Sequence, residues 1–352
     1  MQDTTTVGLD LAKDTFQVFG RNAAQQTTFS RKLKRKAVLV FFARLPACLI
    51  GIEACASSHY WARELKKLGH TVKLMHPKYV KGYLKRGKTD AADAEAICEA
   101  VPRLHVSEVP AKCEAQQCTL MLHKTRNTLL KQRTLMSNVI RAHMAELGLI
   151  DAKGHAGFKR LLAIVADDAN RALADMARAA LKPLALNLAA IETGLARLDA
   201  EIYAAHKADA TSVRLETAPG VGPIGASAFS ATVSNPRAFK SGRHFAASLG
   251  VTPRLDGTGG VVKLGPITKQ GNGYLRRLLY LGAVARLQHA RRRPDKASPW
   301  ILRLLAKYPF KHAAIAVANK TARIIWALLV HGGVYVADHQ PAMSAAGAPA
   351  RP

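Results

Sequence analysis

The order of short apolar segments in the first hundred residues is the feature that most restricts how this chain can fold. Three strand-like segments come first and are separated by turns: TTVGLDL, TFQVFGR and QQTTFSR. They are followed by segments typical of helix, strand, helix, strand and helix, in that order: KAVLVFFARL, CLIGIE, SHYWARELKKLG, TVKLMH and DAADAEAICEAV. A three-stranded meander followed by βαβ units predicts a mixed sheet flanked by helices.

The middle of the chain, between 110 and 210, is rich in Ala and Leu and poor in Gly, which predicts a helical region. Within it, apolar residues step alternately by four and three, as in the a/d seam of a coiled coil. They are Leu184, Leu188, Ile191, Leu195, Leu198 and Ile202. Such a seam suits association between chains or a helical hairpin within one chain, and the sequence leaves both open.

The last third contains two segments that interrupt its helices. In LETAPGVGPIGASAFSATV, a Pro-Gly-x-Gly turn joins two helical stretches, either as a helix-hairpin-helix whose backbone amides hold a phosphate or as an ordinary connection. Residues 252–273 are rich in Gly and polar side chains, which predicts a long functional loop. We therefore predict an α/β domain over 1–108, a helical coiled-coil region over 109–210, a mainly α-helical domain over 211–337 and a disordered tail over 338–352.

The charge of the chain indicates a polyanionic partner. Its 352 residues include 52 Lys and Arg but 24 Asp and Glu, which gives a net charge of +28. A hydrophobic content of 49% excludes a disordered basic tail, so the charge belongs to folded domains. Nucleic acid is the leading candidate partner and an anionic membrane surface is the second.

Membrane attachment is the weaker explanation of this charge. The N-terminal residues carry acids and lack the apolar segment of a signal peptide. The apolar run at 37–50 is interrupted by Arg44 and Pro46, and the run at 324–337 is too short to span a bilayer. The five cysteines are irregularly spaced, which fits a reducing cytosol better than a disulfide framework. We predict a cytoplasmic protein without a membrane anchor.

The basic residues are concentrated in two segments. Nine Lys and Arg lie between 60 and 90, where Tyr79 and Tyr83 are placed to stack on bases. Twelve lie between 271 and 323, against Asp295 alone. A merely solvated surface usually mixes signs, so this distribution favours phosphate binding without base recognition. We predict nucleic-acid contacts from Lys78, Lys81, Lys85, Arg86, Lys88, Arg254, Lys263, Lys269, Arg276 and Arg277.

Four acidic residues stand out in a chain that has few of them. Asp10 lies at the end of the first strand segment, and Glu53 ends the apolar strand CLIGIE. Asp90 and Asp93 are three residues apart near the start of a predicted helix, so they share one face of it. An acid at the end of an apolar strand is unfavourable unless it is paired, hydrogen-bonded or metal-bound. Each acid alone also has a structural interpretation, as a helix cap or as the partner of a nearby base.

Together the four acids predict metal-dependent phosphodiester chemistry. Such chemistry needs an activated oxygen nucleophile and a stabilised leaving oxygen, and two Mg²⁺ ions held by carboxylates provide both. Mg²⁺ prefers hard oxygen ligands. The predicted order of strands and helices is also that of an RNase H fold, which brings such acids together. We therefore predict an RNase H-like domain that binds Mg²⁺.

Several segments resemble one protein family, the four-carboxylate (DEDD) transposases of bacterial insertion sequences, which includes the pilin-gene-inverting recombinase. These segments are VGLDLAKDTFQV, IGIEACASSHYWARELKKLGHTVKLMHPKYVKGY, KTDAADAEAI, PGVGPIGA, and FAASLGVTPRLDGTGG with GPITKQGNGYLRRLLY. They follow the family's order over about residues 5–330. The resemblance implies an N-terminal RNase H-like (RuvC-like resolvase) domain, a helical coiled-coil insert and a mainly α-helical C-terminal transposase domain.

The resemblance also implies a function. It implies that Asp10, Glu53, Asp90 and Asp93 are catalytic acids that bind Mg²⁺ in a recombinase that cuts and rejoins donor and target DNA. It further implies that a structured noncoding RNA, encoded by the element, selects both DNAs. The residues themselves predict the acids and the polyanionic partner but not the RNA.

One position departs from the family. Its members typically carry a serine before the Gly of the loop that here is DGTGG, and that serine is thought to form a covalent phosphoserine link with DNA. The corresponding position in this chain is Thr258, or Gly257 if the loops align one residue apart. Thr258 also bears a hydroxyl and is predicted to be the nucleophile. The alternatives are that Ser241 or Ser248 supplies the hydroxyl, or that this copy is impaired.

Other functions stand beside the recombinase. A junction-resolving nuclease would use the same acids with water as nucleophile, and a nucleic-acid-binding scaffold would not need acids on buried strands. An ATP-binding protein of the actin-like fold would need a Gly-rich phosphate loop after the first strand, where AKDTF stands instead. A recombinase that assembles its sites from several domains is expected to be a dimer or tetramer and to associate with the nucleoid.

Overall fold

The computed structural model describes residues 3–83, 89–103, 106, 108–258 and 261–337. The chain forms two compact units, Met1–Gln117 and Cys118–Pro352. The domain boundaries expected from the sequence, at 108, 210 and 337, stay predictions, and the tail expected to be disordered, 338–352, lies outside the described residues.

The first unit is built on a mixed sheet, which within the described residues has six strands in the order β3-β2-β1-β4-β5-β6. The first three strands form the antiparallel meander that the sequence predicted. β4 and β5 run parallel to β1, and β6 runs antiparallel to β5. The strands are β1 (Thr4–Asp10), β2 (Thr15–Asn22), β3 (Thr27–Lys34), β4 (Leu49–Glu53), β5 (Thr71–Met75) and β6 (Glu108–Val109).

Helices cover both faces of this sheet. Helices α1 (Val38–Ala43) and α2 (Ser58–Lys67) share a core with the fully buried Val7 and Leu9 of β1. Side chains alternate between the two faces along a strand, so Gly8 faces the other way, and there it meets helix α4 (Asp90–Ala100). A short helix, α3 (Pro77–Val80), follows β5.

The second unit is mainly α-helical. Its helices are α5 (Glu114–Glu146, which begins within the first unit's range), α6 (His155–Ala166), α7 (Asp175–Ala208), α8 (Ala210–Glu216), α9 (Pro223–Thr232), α10 (Gly242–Ser248), α11 (Gly273–Arg292), α12 (Pro299–Lys307) and α13 (Phe310–His331). Helix α13 is long and apolar enough to cross a membrane. Eight of its residues are buried, and seven of these belong to the core that it forms with α11 and its neighbours, so one apolar face of this helix packs inside the unit.

The predicted heptad seam on α7 is covered within the chain. Leu188, Ile191, Leu195 and Ile202 are buried, and the remaining two seam leucines are half-buried. Helix α5 packs alongside α7. Arg126 of α5 forms an ion pair with Asp199 of α7, and a Cβ added at Gly194 of α7 would lie 3.2 Å from Leu129 of α5. Of the two alternatives, the seam therefore forms contacts between helices within one chain. Association between chains through this region stays a prediction.

The prediction of a long loop over residues 252–273 is wrong. Most of this segment forms an antiparallel β-hairpin of β7 (Pro253–Thr258) and β8 (Val261–Ile267). Leu255 and Leu264 face each other across it and are each 72% exposed. In a hairpin the two strands satisfy each other's backbone hydrogen bonds, so the strands need neither burial nor an apolar pattern. A composition rich in Gly and polar residues was therefore a misleading signal for a loop.

The Pro-Gly-x-Gly turn does join two helices, α8 and α9. Gly220 has a φ of +82°, a conformation that favours glycine, and Pro223 is the first residue of α9. The interpretation of this turn as a phosphate-binding helix-hairpin-helix stays a prediction.

A buried histidine joins three helices of the second unit. His123 of α5, which is 1% exposed, hydrogen-bonds the Tyr274 hydroxyl of α11 at 3.0 Å and the Ser227 hydroxyl of α9 at 3.2 Å. Burial, together with the charge of Arg126, lowers the pKa of His123 to about 4. The ring is therefore neutral at physiological pH, and its protonation is coupled to unfolding.

We expect the second unit to lose stability as the pH falls from about 6.5 to 4. The unfolded chain, with an ordinary histidine pKa near 6.5, takes up the proton first, so acid favours unfolding by at most about 3 kcal/mol. Urea unfolding as a function of pH measures this loss. His123→Gln keeps a donor and an acceptor and should flatten the pH dependence, whereas His155→Gln, at an exposed position, should not. Equal slopes for both variants would contradict this assignment.

Candidate active site

Asp10 and Glu53 lie at the carboxyl ends of two neighbouring parallel strands. β1 and β4 pair in a register that aligns Gly8 with Gly51 and Leu9 with Ile52. The next position of each strand is the acid, so the register brings Asp10 beside Glu53, with neighbouring strands about 4.8 Å apart. Both acids are half-buried.

The surroundings of Gly8 and Gly51 show that both acids lie on the face of the sheet that α4 covers. A Cβ added at Gly8 would lie 2.0 Å from the carbonyl oxygen of Ala94 and 2.5 Å from the backbone nitrogen of Cys98. One added at Gly51 would meet Val101 at 2.8 Å, also at the helix. Because strand side chains alternate with a period of two, the acid two residues after each glycine points to this same face.

Helix α4 contributes the other two acids at its first turn. Its N-cap is Thr89, whose hydroxyl accepts a hydrogen bond from the backbone of Ala92 at 3.2 Å. Asp90 and Asp93 follow within the first turn, where the positive end of the helix dipole favours carboxylates. The four predicted acids are thus brought together by two strand ends and one helix start.

An arginine that the sequence analysis did not single out holds α4 against the sheet. Arg21 of β2 donates to Glu95 at 3.3 Å and also pairs with Glu99. Glu99 pairs in turn with Arg103 one turn further on. These ion pairs hold the helix that carries Asp90 and Asp93. Arg21 therefore supports the position of these two acids but is not itself part of the acidic site. A basic residue on a strand gives no signal of this role before its helix partner is known.

Burial and neighbouring carboxylates both act on the ionisation of the two strand acids. Burial, followed by the charges of Asp93, Asp90 and Glu53, raises the pKa of Asp10 to about 6. Burial and the charge of Asp93 also raise the pKa of Glu53, while Lys81 and His76 act in the opposite direction. In the part of the chain that the structure describes, neither strand acid has an ion-pair partner within 4 Å.

The donor set fits a hard divalent cation. Its ligating atoms would be carboxylate oxygens, and a bound cation would offset both the burial and the mutual repulsion that raise the pKa of Asp10. Among the described residues no three His, Cys, Asp or Glu side chains converge closely enough to hold one ion by themselves. Mg²⁺ usually takes one or two carboxylates and fills its shell with water and substrate phosphate oxygens. The site is therefore suited to a metal that is completed by substrate.

The basic residues predicted near this site are located only in part. Lys78 and Lys81 are both exposed, and Lys81 lies near Glu53, since its charge lowers the pKa of that carboxyl. Lys85, Arg86 and Lys88 lie outside the described residues.

The remaining predicted residues lie in the second unit. Thr258 is the last residue of β7, and its side chain lies outside the described part. Arg254, Lys263 and Lys269 are exposed on or just after the hairpin. Arg277 is exposed and donates to Asn127 at 2.7 Å. Arg276 instead donates to two backbone carbonyls, those of Leu249 at 3.0 Å and Gln270 at 2.7 Å, and so holds the segment that follows the hairpin.

A mixed sheet in this order, with carboxylates at the ends of β1 and β4 and at the start of α4, is the arrangement of an RNase H-like domain, a class that acts on phosphodiesters. Comparison with known sequences identifies the family. Residues 7–148 match the model of the DEDD transposases of the IS110 type, and residues 212–298 match that of the transposase IS116/IS110/IS902 family.

Whole-length relatives agree with these matches. A "Probable family 20 transposase" of Pseudomonas aeruginosa is 44% identical over 92% of this chain and 96% of its own length. The transposase for insertion sequence element IS1328 of Yersinia enterocolitica is 32% identical over 95% of this chain and 99% of its own length. That for element IS1111A of Coxiella burnetii is 33% identical over 95% and 92%, respectively. The chain belongs to the IS110 family of insertion-sequence transposases, a class of enzymes that cut and rejoin DNA.

Proposed function

We propose that this transposase catalyses metal-dependent DNA strand transfer with Asp10, Glu53, Asp90 and Asp93 as its metal-binding acids. The observation that carries the proposal is geometric: β1 and β4 pair in a register that puts Asp10 beside Glu53, on the face covered by α4, whose first turn holds Asp90 and Asp93. Structural carboxylates in a chain with 52 basic residues would be expected to pair with bases instead.

The cation that these acids are suited to hold is Mg²⁺. When bound, it would activate an oxygen nucleophile and stabilise the leaving oxygen of a phosphodiester. The protein's own part is to hold the carboxylates in place. The strands hold Asp10 and Glu53, α4 holds Asp90 and Asp93, and Arg21 keeps α4 on the sheet.

The nucleophile is proposed to be the hydroxyl of Thr258, in place of the serine that the family typically carries. Its oxygen would form a bond to a DNA phosphorus while the bond from phosphorus to the 3′ oxygen breaks. A general base would take the hydroxyl proton, and the released 3′ oxygen would later attack to rejoin the strand. Thr258 is the last residue of β7, in the exposed hairpin, which suits a residue that must reach DNA.

The partners proposed are donor and target DNA together with a structured noncoding RNA that selects them. Exposed lysines and arginines on both units, including Lys78, Lys81, Arg254 and Lys263, provide contacts to phosphates without reading bases. Delegating sequence choice to base pairing explains why the chain can lack a dedicated major-groove reader. The protein is also proposed to be cytoplasmic, to associate with the nucleoid and to act as a dimer or tetramer.

A covalent-adduct assay tests this proposal. The purified chain is incubated with Mg²⁺, donor and target DNA and the noncoding RNA that flanks the element, and protein-linked DNA is detected on a denaturing gel. Asp10→Asn and Thr258→Ala should each reduce the adduct by at least about a thousandfold, as expected when a catalytic group is removed. Asp14→Asn, in the exposed turn after β1, and Thr193→Ala, on the exposed face of α7, are the matched controls.

Each outcome has a distinct meaning. An adduct that survives Thr258→Ala would move the nucleophile to another hydroxyl, such as Ser241 or Ser248. Cleavage without any adduct would favour a junction-resolving nuclease that uses water. Normal activity of Asp10→Asn would contradict the assignment of the acids, and binding without cleavage by the unaltered chain would favour an impaired copy or a scaffold.

A further inference from the structure

The end of α11 and the start of α12 line an open cavity of about 300 Å³ that plays no part in the proposed chemistry. Three basic side chains line it: Arg286, His289 and Lys296. No acidic side chain is among its lining residues. In a folded protein such a concentration of one charge sign usually has a counter-ion or a ligand.

Arg286 is the central group of this cavity. Its aliphatic stem packs against the Pro-Gly-x-Gly turn, because a Cβ added at Gly220 would lie 2.7 Å from Arg286 Cδ. The residue is half-buried, and burial lowers the pKa of its guanidinium. Within the described residues the guanidinium has no ion-pair or hydrogen-bond partner. A half-buried guanidinium without a protein partner is available to an anion, which would offset the cost of its partial desolvation.

The other lining groups add donors and positive potential. His289 lies one turn after Arg286 on α11, and Lys296 ends the 3₁₀ turn Pro294–Lys296. Ser298 is the N-cap of α12, so the positive end of that helix also faces the cavity. Asp295, the neighbouring acid, is exposed and pairs with none of the three basic groups in the described part of the chain.

We propose that this cavity binds a backbone phosphate of nucleic acid, with Arg286 and Lys296 as the charged ligands and His289 as an additional donor. A planar guanidinium suits the two non-bridging oxygens of a phosphodiester, and a mobile ammonium adds a point charge. The proposal rests on the proposed function in so far as nucleic acid is the substrate or guide. It adds a second anchoring point, remote in sequence from the four acids.

Binding of short DNA and RNA tests the proposal. The full chain is titrated in EDTA with a DNA duplex and with an RNA hairpin of arbitrary sequence, at several salt concentrations, by fluorescence anisotropy. Arg286→Gln/Lys296→Gln should weaken binding roughly tenfold, as expected for loss of one charge-assisted contact, and should lower the salt-dependence slope by about one. The control is Arg303→Gln/Lys159→Gln, which removes two exposed charges from the same unit.

The outcomes separate this proposal from the proposed function, because no metal or strand cleavage enters the measurement. Loss for one nucleic acid alone identifies DNA or RNA as the ligand. An affinity and a salt slope equal to those of the control, for both nucleic acids, would overturn the proposal. Lys296→Gln alone, at an exposed position, should give part of the effect and serves as the test should Arg286→Gln prevent folding.

Discussion

Replacing Gly8 with alanine is expected to lower the free energy of unfolding of the first unit by about 3 kcal/mol and to slow DNA strand transfer about a hundredfold. The new Cβ would lie 2.0 Å from the carbonyl oxygen of Ala94 and 2.5 Å from the backbone nitrogen of Cys98. Both are backbone atoms of α4, so no side chain can rotate away, and the whole helix must move off β1.

That movement is expected to act on catalysis through the helix rather than through Gly8 itself. Helix α4 carries Asp90 and Asp93, and a displacement of about 1 Å in a catalytic group can reduce a rate a hundredfold. Gly51→Ala should have a smaller effect, because its new Cβ would meet side chains, including the flexible end of Met75 at 3.0 Å.

Urea unfolding and the covalent-adduct assay together measure this prediction. Gly82→Ala is the matched control, since Gly82 is exposed and an added Cβ there would meet nothing within 4 Å. A Gly8→Ala protein that unfolds and reacts like Gly82→Ala would show that α4 can accommodate the methyl group and that close packing of α4 is not what holds the acids.

Replacing Arg178 with methionine is expected to lower the free energy of unfolding of the second unit by about 4 kcal/mol. Arg178, at the start of α7, is 4% exposed. Its guanidinium donates to five backbone carbonyls at the end of α6 and in the segment that follows: those of Ile164, Val165, Asp167, Asn170 and Leu173. Methionine fills a similar volume but would leave these carbonyls without their donor, at about 1–3 kcal/mol for each one that water cannot reach.

Two further variants make this prediction specific. Arg178→Lys keeps the charge but lacks the planar fork that reaches several carbonyls at once, so an intermediate loss is expected. Arg171→Met, in the same segment at an exposed position, should change the unfolding free energy by no more than about 0.5 kcal/mol. Equal urea midpoints for Arg178→Met and Arg171→Met would mean that water can replace the guanidinium.

The local pattern of the sequence was sufficient to predict the first five strands and to place Asp10 and Glu53 at strand ends. Alternation in VGLDL and the continuous apolar run of CLIGIE identified β1 and β4, and the acid that ends each segment lies where parallel strands place their carboxyl ends. The glycines of these two strands are a further signal for the acids. Each acid follows a glycine by two residues, in Gly-Leu-Asp and Gly-Ile-Glu, and a glycine inside a strand indicates close approach of another backbone.

The second unit shows where local pattern was insufficient. Heptad spacing on α7 identified an apolar seam, but spacing states only which face is apolar and not which helix covers it, and the structure supplies α5. The hairpin of β7 and β8 was missed because its strands are stabilised by pairing with each other rather than by burial.

The sequence by itself determined the order of the first five strands along the chain, the place of the four acids at strand ends and at a helix start, and the strong positive charge, because each depends on neighbouring residues or on composition. Only the tertiary structure decided how closely α4 approaches β1, which carbonyls Arg178 satisfies and that His123 is buried between three helices. These features join residues far apart in the chain, and their energies arise from contacts and desolvation that exist only after the elements have packed.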